Sequence, residues 1–212
     1  MIKLFLCVFV FSITTMPMVG ESIIFSNFGP GLSYNTAAGN PVGNAFDGNN
    51  YAEANVFTTG SGDYPLESMQ IALSCSFVCS DPFRVTLSQN SGGKPGAAIE
   101  TFTLAPSLLG PLGSNNTPLL LTSVLNPVLT GGTLYWVTVS SDLNDSIAWN
   151  WNSTGDRSPQ ALSPDGGITW FVPSGLTPGA FQVTLVTPEP GTWGLLLGAG
   201  MVFGALKKRS VS

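Results

Sequence analysis

The chain has 212 residues, with seven Lys or Arg, twelve Asp or Glu and no His, for a formal net charge of −5. The lack of histidine removes Ser-His-Asp and Cys-His catalysis, imidazole metal sites and any histidine switch near neutral pH. Between residues 22 and 187 only Arg84, Lys94 and Arg157 are basic, against ten acidic residues; no basic stripe is available to neutralise phosphates, so nucleic acid is not an expected partner.

The first 22 residues, "MIKLFLCVFVFSITTMPMVGES", place Lys3 ahead of an apolar stretch from Leu4 to Ile13, followed by small residues near Gly20 and Ser22. That is the layout of a secretory signal peptide, expected over residues 1–21. The alternative, an N-terminal anchor, would have to span a membrane with an apolar stretch that is short for the purpose. Cys7 lacks a small residue before it, so no lipoprotein site is read there.

Residues 22–187 have the length of one domain. Several stretches alternate with period two, the signature of strands with one buried face. Met69, Ile71 and Leu73 share a face, as do Phe83, Val85 and Leu87, and Phe181, Val183 and Leu185. Further strands are expected at Tyr51–Thr58, Ile99–Leu104, Leu119–Val124, Thr133–Ser140, Ile147–Asn152 and Ile168–Val172. Turn signals such as "SQNSGGKPGAA", "LTGG", "SPDGG" and "PSGLTPGA" separate them. About nine short strands with turns between them predict an all-β fold, an antiparallel, jelly-roll-like β-sandwich.

Within that body, Cys75 and Cys79 are the cysteines left after signal removal, and an oxidising compartment would pair them. Residues four apart in a strand lie about 13 Å from each other, so a bridge requires "CSFVC" to curl. Oxygen-rich loops at "FDGNNYAE" (Asp47, Asn49, Asn50, Glu53) and "SDLNDS" (Asp142, Asn144, Asp145) suit either ordinary turns or a structural calcium ion. No other metal or cofactor is expected. Trp149 and Trp151 lie two apart, and with Tyr135, extended by Trp136 and Trp170, they suit either core filling or a platform for stacking sugar rings. No pair of carboxylates stands out for glycoside hydrolysis, and the expectation is a non-catalytic protein.

The stretches "VTLSQNSGGKPGAAIETFTL" and "LTGGTLYWVTVSS" followed by "AWNWN" resemble the small β-sandwich modules called choice-of-anchor domains, which precede surface anchors. That resemblance implies a sandwich and says little about activity.

The tail, residues 188–212, begins with Pro188, Glu189 and Pro190 and ends with Lys207, Lys208 and Arg209. Between them the 16 residues from Gly191 to Leu206 carry no charge. As a helix they would reach about 24 Å, short of the roughly 30 Å hydrocarbon core. Their five glycines suit a short transmembrane helix better than a soluble one. Motif, span and basic cluster in this order resemble the PEP-CTERM sorting signal of Gram-negative bacteria. The resemblance implies export across the inner membrane and a transient membrane anchor. Exosortase would recognise Pro188-Glu189-Pro190 and process the tail, with Lys207 to Arg209 as the cytoplasmic stop. It further implies a destination at the cell surface or in an exopolysaccharide matrix, as a structural or adhesive component. A glycan-binding module is the alternative; an ice-binding protein or a carboxylate-dependent glycosidase stands behind it.

Overall fold

Period-two patterning places one face of each strand in the interior, and the chain obeys it through most of its length. The computed structural model describes residues 19–188 except 45, 46, 142 and 143. Fourteen strands run in order as β1 (Val19–Ser26), β2 (Tyr34–Val42), β3 (Ala52–Thr58), β4 (Tyr64–Ile71), β5 (Leu73–Cys75), β6 (Phe83–Ser91) and β7 (Lys94–Leu104). They continue as β8 (Gly110–Pro111), β9 (Leu119–Thr122), β10 (Val128–Leu129), β11 (Leu134–Ser141), β12 (Ile147–Asn152), β13 (Gln160–Ser163) and β14 (Phe181–Pro188). The helical content of the described residues is two 3₁₀ turns, Pro30–Leu32 and Pro106–Leu108, and no helix there is long and apolar enough to cross a membrane. The expected transmembrane segment, 191–206, lies outside the described residues.

Three sheets form two layers. One sheet has the order β13-β3-β11-β6-β7, every neighbour antiparallel. A second runs β1-β14-β4-β10, with β9 also on β4, and a third runs β2-β12-β5-β8. The second and third meet at Ala72, where the chain steps from β4 to β5. Ala72 N–H donates to Ala180 O (3.1 Å), Asn150 N–H to Ala72 O (3.0 Å) and Ala180 N–H to Asn150 O (2.7 Å), so the two sheets continue one another.

The core lies between this composite layer and the first sheet. Met69, Ile71, Leu73, Phe181, Val183 and Leu185 meet Phe57, Phe83, Val85, Leu87, Val137 and Val139 there, all essentially excluded from solvent. The fold is all-β, its sheets are antiparallel, and the packing is that of a β-sandwich. One pair departs: β5 and β8 are parallel, which the long excursion through β6 and β7 permits.

The pairing also corrects two expectations. Ile168–Val172 is not a full strand: Asp165 gathers the N–H groups of Ile168 (3.1 Å) and Thr169 (2.8 Å) into a bend, and only Phe171 pairs back, as a single antiparallel bridge to Leu162. The stretch around Met69 to Leu73 is two strands in two sheets, broken at Ala72. β1 spans Val19–Ser26, and the expected boundary after residue 21 lies within it.

Candidate functional site

The sequence singles out Trp149, Trp151 and Tyr135, and the structure separates them. Trp149 is completely buried; its indole N–H donates to Ala180 O (3.1 Å) and its ring meets Phe181 edge-on, centroids 5.9 Å apart. Gly179 makes room for it, since a Cβ there would lie 2.3 Å from Trp149 Cδ1. Tyr135 is buried too, stacked on Phe57 at 5.9 Å, and its hydroxyl accepts from Thr130 N–H (2.9 Å). Trp151 is half-buried where the register of β12 shifts, and its N–H donates to Asn40 Oδ1 (2.9 Å). The three rings do not form one exposed face. Core packing claims two of them because alternate positions of β11 and β12 point into the sandwich.

Trp136 lies on the opposite face of its sheet, against Ala54, Val56, Ala161 and Trp170. It is 2% exposed, and its N–H donates to Asn90 Oδ1 (3.0 Å). An apolar groove of about 480 Å³ runs past it, lined also by Phe25, Val56, Leu134, Pro159 and Val172.

Cys75 and Cys79 form a disulfide with Cα atoms 5.9 Å apart, and the intervening turn carries Phe77 into solvent. The ring is tied down on both sides. Ser76 N–H donates to Ser146 O (2.7 Å), and Ser146 N–H donates to Val78 O (2.6 Å). Asp145, completely buried, accepts from Ser80 N–H (2.8 Å), Asp81 N–H (3.2 Å) and the Ser141 hydroxyl (2.5 Å).

In the oxygen-rich loops Asp145 and Asp47 accept hydrogen bonds from their surroundings, whereas Asn50 Oδ1 is buried without a partner among the described residues. Asp145 organises the chain after the disulfide, while Asp142 lies outside the described residues. Asp47 accepts from the Tyr51 hydroxyl (2.8 Å) and Asn49 N–H (3.1 Å), which hold its carboxyl below the usual range. Glu53 does not belong to that loop at all. It projects inward from β3, where Glu53, Asn55 and Phe57 occupy one face.

That interior face holds the least ordinary chemistry in the body. Glu53 is completely buried, and burial pushes its carboxyl well above the usual range. Its Oε1 accepts from Asn40 Nδ2 (3.1 Å), which also donates to Thr177 O (3.0 Å). Its Oε2 has no hydrogen-bond partner among the described residues, and neither amide atom of the buried Asn55 has one. Gln160 faces Asn55 in the β3–β13 register. With its amide oriented to satisfy both of its ends, Gln160 donates to Thr177 O (3.2 Å) and Glu53 Oε1 (3.3 Å). The alternation of β3 carried a signal for this, because Glu53 shares parity with the core residue Phe57.

Of the expected sorting motif, Pro188 ends β14, whereas Glu189, Pro190, Lys207, Lys208 and Arg209 lie outside the described residues. No protein-family model matches the chain, and no curated protein matches it.

Proposed function

We propose that this is an exported, surface-sorted, non-catalytic protein, a structural or adhesive component of the cell envelope or exopolysaccharide matrix. Its tail would be processed by exosortase after stalling in the inner membrane as a short helix. The observation that carries the reading is the order of parts in residues 188–212: Pro-Glu-Pro, an uncharged 16-residue run, then Lys207, Lys208 and Arg209. The body suits that itinerary. On the sheet face turned away from the core it carries neutral polar pairs such as the part-buried Gln70 and Gln182 (3.1 Å), and its charged residues are few. A polar, weakly charged, disulfide-bearing sandwich tolerates an extracellular setting. Within this reading the sandwich is jelly-roll-like and its ligand, where it has one, is the matrix polysaccharide.

Deleting residues 188–212 tests it. The expected result is release of a soluble, secreted body from cells that otherwise retain the protein, together with a mature C-terminus, by mass spectrometry, that lacks Lys207 to Arg209 in the intact chain. Retention that survives the deletion, with the full tail intact, would sink the proposal.

A further inference from the structure

We propose that this chain binds a second copy of itself head to tail, the disulfide-closed turn at Phe77 of one copy seated in the Trp136 groove of the next. The contact does not depend on the sorting role of the tail.

The two surfaces lie at opposite ends of the body. The turn at residues 76–80 leads from β5 into β6, and its anchors Asp145 and Ser146 follow the end of β11. The groove is walled by Leu134, the first residue of β11, and by Asn90 and Gly93 at the far end of β6. The nine residues of β6 lie between them, about 30 Å at the rise of a strand. A turn so held cannot reach its own groove, and its partner has to come from another molecule.

Single apolar side chains on a surface are ordinary, but the mounting of Phe77 sets it apart. It is 85% exposed, with the exposed Val78 beside it. The Cys75–Cys79 bridge, the exchange of Ser76 and Val78 with Ser146, and the bonds of Ser80 and Asp81 to Asp145 hold the backbone on both sides. A contact residue presented in this way loses little conformational freedom on binding. The groove complements it, with Trp136, Leu134, Pro159 and Val172 as walls and no charged side chain lining it among the described residues. A cavity of roughly 150 Å³ holds a benzene ring. The groove's volume of about 480 Å³ therefore takes both Phe77 and Val78.

Charge at the two rims agrees. Asp81 follows the turn, whereas Lys94 and Arg157 adjoin the lining residues Gly93 and Ser158. Arg84, the third basic residue of the body, stands on β6 and is already engaged. Asp156, beside Arg157, is held by Asn27 Nδ2 (3.1 Å) and by the N–H (2.9 Å) and hydroxyl (2.7 Å) of Ser158. Because turn and groove are different patches, each added copy leaves one of each open, and repetition builds a chain instead of a closed dimer. One aromatic side chain with its neighbours makes a small contact, so association is weak and shows at high concentration.

The test is sedimentation of the full-length chain in detergent, with the tail common to every sample. The weight-average mass is expected to climb with concentration past that of a dimer. Phe77→Ser alters a solvent-facing side chain, and Val172→Glu puts a charge at the groove. Each is expected to need roughly tenfold more protein for the same mass. Mixed in equal amounts, the two variants should form heterodimers and nothing longer, since one intact turn and one intact groove remain between them. Leu134→Ser replaces Val172→Glu should the latter fail to fold. A mass that ignores concentration overturns the proposal, as does a plateau at the dimer or Phe77→Ser associating like the wild type. A mixture no more associated than its components overturns it too.

Discussion

Trp149 and Trp151 lie two residues apart on β12 and have quite different energetics. Trp149→Ala removes a completely buried indole and its bond to Ala180 O, so a loss of about 3–5 kcal/mol is expected. Trp151→Ala removes a half-buried ring and its bond to Asn40, so about 1–2 kcal/mol is expected. Gly179→Ala drives a methyl group against the Trp149 ring and is expected to cost about 1–3 kcal/mol. Urea unfolding of the three variants measures all of these.

Asp165 provides the acid-side counterpart. The Thr169 hydroxyl and N–H and the Ser163 hydroxyl hold its carboxyl at about 2, below the ordinary 3.8. A lowered carboxyl stabilises the folded loop above the ordinary range and loses that contribution as pH falls through about 2. Carboxyl NMR titration is expected to show this value, and Thr169→Val to raise it more than Ser163→Ala. At this scale the sequence was readable where a side chain's parity decided its place: Phe83, Val85 and Leu87 are all buried. It was less readable for Trp149, because period two says which residues share a face and not which face meets solvent.

Among elements, strands that alternate cleanly stood out and strands that do not stayed hidden. β2, with the sequence YNTAAGNPV, carries Gly39 and Pro41 and no apolar alternation. It persists because it is the outer strand of its sheet, paired on one side to β12, where proline is tolerated. Gly39 is required there: a Cβ would lie 2.6 Å from Trp149 O. β13 was concealed by its length of four residues, and its place beside β3 is fixed by tertiary pairing. Conversely, "GITWFV" had strand composition yet pairs only at Phe171, by one bridge to Leu162, because Asp165 captures the N–H groups of Ile168 and Thr169. The curl of "CSFVC" followed from the reach of a disulfide, but its anchoring to Asp145 and Ser146, some 65 residues on, could not. In the loop-entropy model so small a ring contributes about 2 kcal/mol. Reducing it is expected to lower the melting temperature by roughly 4–8 °C for a domain of this size. Cys75→Ser should reproduce the shift and make it insensitive to reductant. Calorimetry with and without dithiothreitol checks both.

For the molecule as a whole, the decisive geometry is that the body's first and last strands are neighbours. Asn27 N–H donates to Phe181 O (3.2 Å), and the Asn27 side chain accepts from Phe181 N–H (2.7 Å). β1 precedes Asn27 and β14 follows Phe181, so the strands run antiparallel and the body's two ends leave it side by side. Glu21–Thr187 forms one compact unit. Phe25 stacks on Phe181 with centroids 4.6 Å apart and reaches Phe57 at 6.0 Å, tying β1 to both layers. Cleavage of the proposed export signal must therefore spare Phe25, whose removal would strip β14 of its outer neighbour and the core of an aromatic ring. A chain beginning at Glu21 is expected to unfold in urea at the same midpoint as the full body. One beginning at Asn27 should lose about 3 kcal/mol or more and expose the edge of β14 to aggregation. On the proposed export route, N-terminal sequencing of the mature chain is accordingly expected to place the cut before Ile24. A mature chain starting beyond Phe25 that kept full stability would show that β1 is dispensable and that the sandwich closes without it.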